Sequence, residues 1–192
     1  VVAVASVGGT IAWLTDKTDP VTNTFTVWDI NIDLYETKYP DGSDKANGGH
    51  LNSTEWNAKL IPGSQYAKNP RVEVAEGSED CYLFVKFEEI NNPKTYLNYT
   101  STLTAENGWT KLENVNNVWY REVGQNANTR SWNLLVNDQV TVKDTIVKSG
   151  TTGEGVAAMP SAENAPKLQY TAYAVQKDNI NSAADAWAKL NP

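Results

Sequence analysis

From Phe25 to Tyr35 the chain alternates, with Trp28, Ile30, Ile32 and Leu34 on one side and Asp29, Asn31 and Asp33 on the other. This period of two is the mark of a half-buried strand. Pro70 precedes a shorter alternation at Arg71 to Ala75 that puts Val72 and Val74 on one face. After Gly77-Ser78-Glu79-Asp80, the run Cys81 to Ile90 sets Leu83, Val85 and Phe87 against Phe84, Lys86 and Glu88. Two strands joined by so short a link form a hairpin or a corner. Further strands are expected at Val118 to Val123, Ser131 to Val136, Gln139 to Val147 and Lys167 to Gln176, and Asn/Gly-rich stretches separate most of them. Residues 15–24 read as a polar turn cluster and 36–56 as a long surface loop. The period changes once, near the C-terminus, where Ala183, Ala184, Trp187 and Leu190 share a helical face and Asn179 or Asn181 is available as N-cap. Six to nine short strands without repeated β–α alternation predict an all-β fold, an antiparallel β-sandwich of jelly-roll type with one short C-terminal helix.

Composition supports that class. The chain holds 21 Asn, 19 Thr and 18 Val against 12 Leu, a bias toward turn-forming and β-branched residues over good helix formers. With 192 residues, 40% of them hydrophobic, one buried core is the expectation: a single domain over 15–192 preceded by an arm over 1–14. The net charge of −7 argues against nucleic acid or anionic lipid as a partner. One histidine, His50, and one cysteine, Cys81, can make neither a zinc site from those residue types alone nor an internal disulfide.

Catalytic chemistry finds little purchase. His50, the sole imidazole, stands in a Gly/Asn-rich stretch that reads as a solvated loop. Glu88 and Glu89 project to opposite faces of a strand, so they do not converge on one bond as a glycosidase pair must. Glu76, Glu79 and Asp80 read as a solvated acidic turn. Asp41-Gly42-Ser43-Asp44 and Asp16 with Asp19 offer calcium-type oxygen donors, but neither matches the twelve-residue calcium loop, and they read as ordinary turns. Cys81 reads as a small buried hydrophobe. No motif for a cofactor is present, and none is expected to bind. Among the aromatics, Trp28, Trp132 and Trp187 fall on inward faces. Trp56, Trp109 and Trp119, near loops, are the ones a carbohydrate-binding surface would use. Asn52 and Asn98 each begin a glycosylation sequon, so glycans are a candidate modification.

The first fourteen residues, VVAVASVGGTIAWL, carry no charge. They resemble the tail of a secretory h-region, and are too short and too Gly-interrupted to span a bilayer, which takes about 20 apolar residues. Burying Val1, Val2, Val4, Val7, Ile11 and Trp13 contributes an amount of the same order as the backbone entropy lost on ordering the segment. Such an arm therefore orders only where its edges also gain ladder hydrogen bonds, as they do between two strands of an acceptor. Gly8-Gly9 fits a hinge between arm and body.

Several stretches, read in order, resemble the TasA/camelysin family, whose members are exported through the signal peptidase SipW. Gly9-Thr10-Ile11-Ala12-Trp13-Leu14-Thr15-Asp16 is similar to the box that ends the family's leader. Asn23-Thr24-Phe25-Thr26-Val27 looks like its first mature strand. Pro62-Gly63 with Lys68-Asn69-Pro70-Arg71-Val72, then Gly77-Ser78-Glu79-Asp80-Cys81-Tyr82, look like the next two. Thr171-Ala172-Tyr173-Ala174-Val175-Gln176 with Ala183 to Leu190 is similar to the end of many members. The likeness covers roughly the first ninety residues and the last twenty-five. Two features depart from the pattern: Trp28 stands where members carry a small or polar residue, and Val1 to Ala12 is retained where leader cleavage is expected. The resemblance implies a secreted, cell-surface, non-enzymatic subunit of a biofilm-matrix fibre. It would polymerise head to tail as a homopolymer, the arm of one copy serving as donor strand to the next. The resemblance also implies a camelysin-like cell-surface metallopeptidase as an alternative, opposed by the lack of any metal-binding or triad motif. The carbohydrate-binding surface module is a third.

Overall fold

The computed structural model describes residues 15–17, 30–36, 41, 50–51, 58–147 and 157–190. In chain order the strands are β1 (Thr15–Lys17), β2 (Ile32–Glu36), β3 (His50–Leu51), β4 (Gln65–Ala67), β5 (Arg71–Val74) and β6 (Cys81–Ile90). After a single helical turn, α1 (Pro93–Tyr96), come β7 (Leu97–Asn98), β8 (Thr110–Lys111), β9 (Val118–Val123), β10 (Ser131–Asn133) and β11 (Gln139–Val142). Then follow β12 (Ile146–Val147), β13 (Ala157–Ala158), β14 (Lys167–Gln176) and the helix α2 (Ala183–Leu190). Among the described residues the regular structure is therefore mostly strand, with a short C-terminal helix, as the period-two pattern predicts.

A five-stranded antiparallel sheet in the order β1-β14-β6-β9-β8 forms the centre. A four-stranded antiparallel sheet, β10-β5-β2-β3, shares a core with it. Into that core the first sheet sends Cys81, Leu83, Val85, Phe87, Val123, Ala172 and Ala174, and the second sends Ile32, Val72 and Val74. Ala172 and Ala174 stand opposite Val85 and Leu83, small against large, and all four are fully buried. A smaller sheet, β4-β11-β7, and the parallel pair β12 and β13 complete the described strands.

The other face of the central sheet carries a second core, in which α2 lies over Tyr82, Phe84, Val118, Tyr173 and Val175. This explains a burial pattern that simple alternation does not. The first five residues of β6 are all buried, because that end has a sheet on one side and a helix on the other. Beyond the helix the alternation returns, and Lys86 and Glu88, two apart on one face, pair at 2.9 Å.

Several sequence expectations need adjustment. The Gly77-Ser78-Glu79-Asp80 link is a corner and not a hairpin, since β5 and β6 lie in different sheets. Buried Ser78 fastens it by accepting a hydrogen bond from Asn31 N–H at 3.1 Å. Residues 15–17, expected in a turn, are strand β1, and the expected loop over 36–56 contains β3, which returns alongside β2. The strand expected at Ser131 to Val136 stops at Asn133, because the chain there leaves β5: Leu135 bridges Ser101, and Val136 N–H donates to Thr100 O at 2.9 Å. Gln139 to Val147 breaks into β11 and β12 at a turn over Asp144 and Thr145, just past the Lys143 N–H to Tyr96 O bond (2.8 Å) that ends the ladder between β11 and β7. The α2 N-cap is Ser182, not Asn179 or Asn181: its Oγ accepts from Asp185 N–H at 3.1 Å and donates to Asp185 Oδ2 at 2.7 Å. Asn179 instead supplies a left-handed turn (φ 61). On the helix, Ala186 is buried where Ala184 was expected, and Ala184 is exposed.

Candidate functional site

Among the described residues, the first strand of the chain stands at the edge of the central sheet. β1 runs antiparallel to β14, Thr15 opposite Val175, Asp16 opposite Ala174 and Lys17 opposite Tyr173. On its other side β14 pairs with β6 from Lys167 to Gln176. Among the described residues, then, the outer side of this ten-residue strand is covered by a strand along three positions. The expected donor-strand residues Val1, Val2, Val4, Val7, Ile11 and Trp13, the hinge Gly8 and Gly9, the sequon Asn52, and Trp28 and Trp56 lie outside the described residues. The other sequon asparagine, Asn98, is exposed on β7 opposite Thr141, and Thr100, which completes its acceptor pattern, is exposed too.

A second constellation is assembled by folding alone. Glu36, at the end of β2, pairs with Lys68 Nζ at 2.8 Å, and the two side chains are 12% and 9% exposed. The other carboxylate oxygen of Glu36 accepts from Asn69 N–H at 2.8 Å. The Tyr170 hydroxyl, from β14, is buried close by with no hydrogen-bond partner among the described residues, and the Asn69 Oδ1 is buried likewise. Burial, with the charges of Glu36 and Glu89, pushes the Tyr170 phenol well above its ordinary range. Its ring stacks on Phe87 at 4.6 Å, and Phe87 meets Tyr99 edge-on at 6.5 Å. Tyr99 donates to Glu89, which also faces Lys94 at 3.2 Å. Sequence reading missed Lys68 with Glu36, because a pair separated by 32 positions has no local signature.

The aromatics fall differently from expectation. Trp109, expected near the surface, is 2% exposed. The Arg121 guanidinium lies over its ring at 4.5 Å and over that of Trp132 at 4.4 Å, and the two indoles meet edge-on at 6.3 Å. Arg121 Nη2 also donates to Asn107 O at 2.6 Å. Dehydration in this stack lowers the Arg121 pKa to about 10. Gly108 allows the close approach: with φ +76 it suits the left-handed region, and a Cβ there would stand 2.6 Å from Arg121 Nη2. Trp109 therefore offers no open stacking face. Trp119 is half-buried beside Lys111, and Trp187 packs on Phe84 at 5.2 Å and Tyr173 at 5.3 Å.

The acidic turn has a structural role. Asp80 Oδ1 accepts from Gln125 N–H at 2.6 Å and Glu79 from the Gln125 amide at 3.3 Å, tying the corner to the loop after β9. Arg130 stitches the same loop to Ala75 O and Gly124 O, each at 3.0 Å. An open basin of about 800 Å³ lies here, lined by Glu73, Glu76, Gln125, Asn126, Asn128 and Arg130 among others, with no aromatic side chain in its lining. His50 lies on β3 opposite Glu36, Asp16 on β1, and Asp41 at an exposed turn. Among the described residues, no group of three or more His, Cys, Asp and Glu is placed to hold a metal ion, and no helix is long and apolar enough to cross a membrane.

Cys81 is buried, and burial pushes its thiol up to about 12. The folded protein is expected to resist a thiolate-selective reagent at about pH 8 and to react fully once denatured. Fast labelling of the native chain, followed by mass spectrometry, would contradict this burial.

No protein-family model, curated protein or solved structure matches the chain.

Proposed function

We propose that the protein is a structural subunit of an extracellular filament, built on a jelly-roll-like β-sandwich and polymerising by donor-strand complementation. The single observation that carries this reading is the place of the first described strand. The uncharged run of residues 1–14 leads directly into β1, a three-residue strand on the edge of the central sheet. An edge strand this short is held by few hydrogen bonds, so exchange of this part of the chain between copies costs little. Residues that leave one copy at such an edge can lay their apolar side chains against the sheet of the next. Arm and acceptor are different surfaces, so the contact is heterologous and propagates into an open fibre. The mature subunit is read as secreted, with Asn98 exposed as an acceptor should glycans be attached.

Removal of Val1 to Ala12 tests the reading. The full chain is expected to form filaments visible by negative-stain electron microscopy, and the shortened chain to sediment as a monomer with an unchanged circular dichroism spectrum. Filaments that persist without those residues, or a full chain that stays monomeric when concentrated, would overturn it.

A further inference from the structure

We propose that Lys68 and Glu36 condense into an intramolecular isopeptide bond, which makes the buried pair a self-modification site independent of how the subunit assembles. Lys68 Nζ lies 2.8 Å from Glu36 Oε2, one covalent bond short of the carbon it would attack. The Asn69 N–H, 2.8 Å from Oε1, holds the carboxylate in one orientation and is aimed at the oxygen on which negative charge accumulates during attack. Both partners are fixed by the fold, Glu36 at the end of β2 and Lys68 between β4 and β5, so the encounter is already made when the chain is folded. The surroundings favour the neutral product. Two charges withdrawn from water carry a desolvation cost that an amide does not.

The step balances without an oxidant or cofactor. A proton passes from Lys68 Nζ to Glu36 Oε2 along their contact, and the freed nitrogen lone pair adds to Cδ while the π electrons move to Oε1. The intermediate collapses as Oε1 reforms the carbonyl. Oε2 departs as water, carrying the proton it received and a second one from the nitrogen. Ammonium plus carboxylate becomes secondary amide plus water. The buried Tyr170 hydroxyl, beside Glu36 and without a hydrogen-bond partner among the described residues, can relay that second proton. The product would join chain positions 32 residues apart and close the segment between them into a covalent ring.

The test is the mass of the purified full chain, denatured before measurement. We expect it to be lighter than its sequence mass by one water, and proteolysis to release one branched peptide containing both Glu36 and Lys68. Lys68→Met and Glu36→Leu should each return to the full mass calculated for the variant. A wild-type chain at its full sequence mass with separate linear peptides overturns the proposal, as does a branch joining any other pair. Because the wild-type measurement decides the matter, a variant that fails to fold leaves the test intact.

Discussion

Trp109→Ala is expected to lower the unfolding free energy by about 3 to 5 kcal/mol, as other large aromatic truncations in cores do. The side chain is 2% exposed, so its removal leaves a cavity that water enters only at the expense of the first core. A second loss adds to the first. Arg121 is held between the Trp109 and Trp132 rings at 4.5 and 4.4 Å, in surroundings dry enough to lower its pKa to about 10. Without one ring the guanidinium keeps its desolvation cost and loses part of its compensation. Trp109→Phe should restore a good part of the loss by refilling the volume. Equilibrium urea unfolding reads both, and a loss below about 1 kcal/mol for the alanine variant would place Trp109 outside the first core.

Phe84→Ala is expected to cost a similar amount, about 3 to 5 kcal/mol, but to act on the opposite face of the same strand. Phe84 is fully buried and meets Trp187 at 5.2 Å and Tyr120 at 6.0 Å, so it carries much of the surface on which α2 rests. An isolated helix of eight residues is too short to persist in water, and α2 depends on that surface. Its neighbour Leu83 is equally buried but faces the second sheet, so Leu83→Ala should cost about 2 to 5 kcal/mol without loosening the helix selectively. Native-state hydrogen exchange separates them. Amides of Ala183–Leu190 should exchange faster in Phe84→Ala than its global stability allows, and should follow global stability in Leu83→Ala. Equal behaviour of the helix in both variants would refute the division of the core into two faces.

These two experiments also mark how far a pattern of residues reaches. Val118–Val123 and Lys167–Gln176 fold as strands with the limits expected of them, because segments carrying several β-branched and aromatic residues between Asn- or Pro-containing turns favour extended backbone. Val72 and Val74 are fully buried on one face of β5, as their alternation requires. The first half of β6 resists the same reading, since its buried Tyr82 and Phe84 on the expected outer face make sense only once α2 is known to cover them. Trp109 was misread for a related reason. It follows Asn107-Gly108, a turn signal that points to the surface, whereas its burial depends on Trp132 and Arg121, which lie on other strands. The Ser182 cap, by contrast, is legible in the sequence: Ser-x-x-Asp before an apolar helical run is a capping signature in its own right.

The candidate sites divide along the same line. The uncharged leading run with its paired glycines is a property of adjacent residues and is visible without any fold. That the run leads into an edge strand beside β14 is a fact of strand order, which no local pattern encodes. The Glu36 and Lys68 pair, with the Asn69 N–H and the Tyr170 hydroxyl around it, draws on three distant parts of the chain. By itself the sequence determined the class of the fold, most strand positions and the terminal helix, because hydrophobic period and turn chemistry act over a few residues. The tertiary structure alone decided which strands are neighbours, which aromatics are covered and which charges meet out of water, because those depend on contacts between segments whose separation along the chain carries no information about their distance in space.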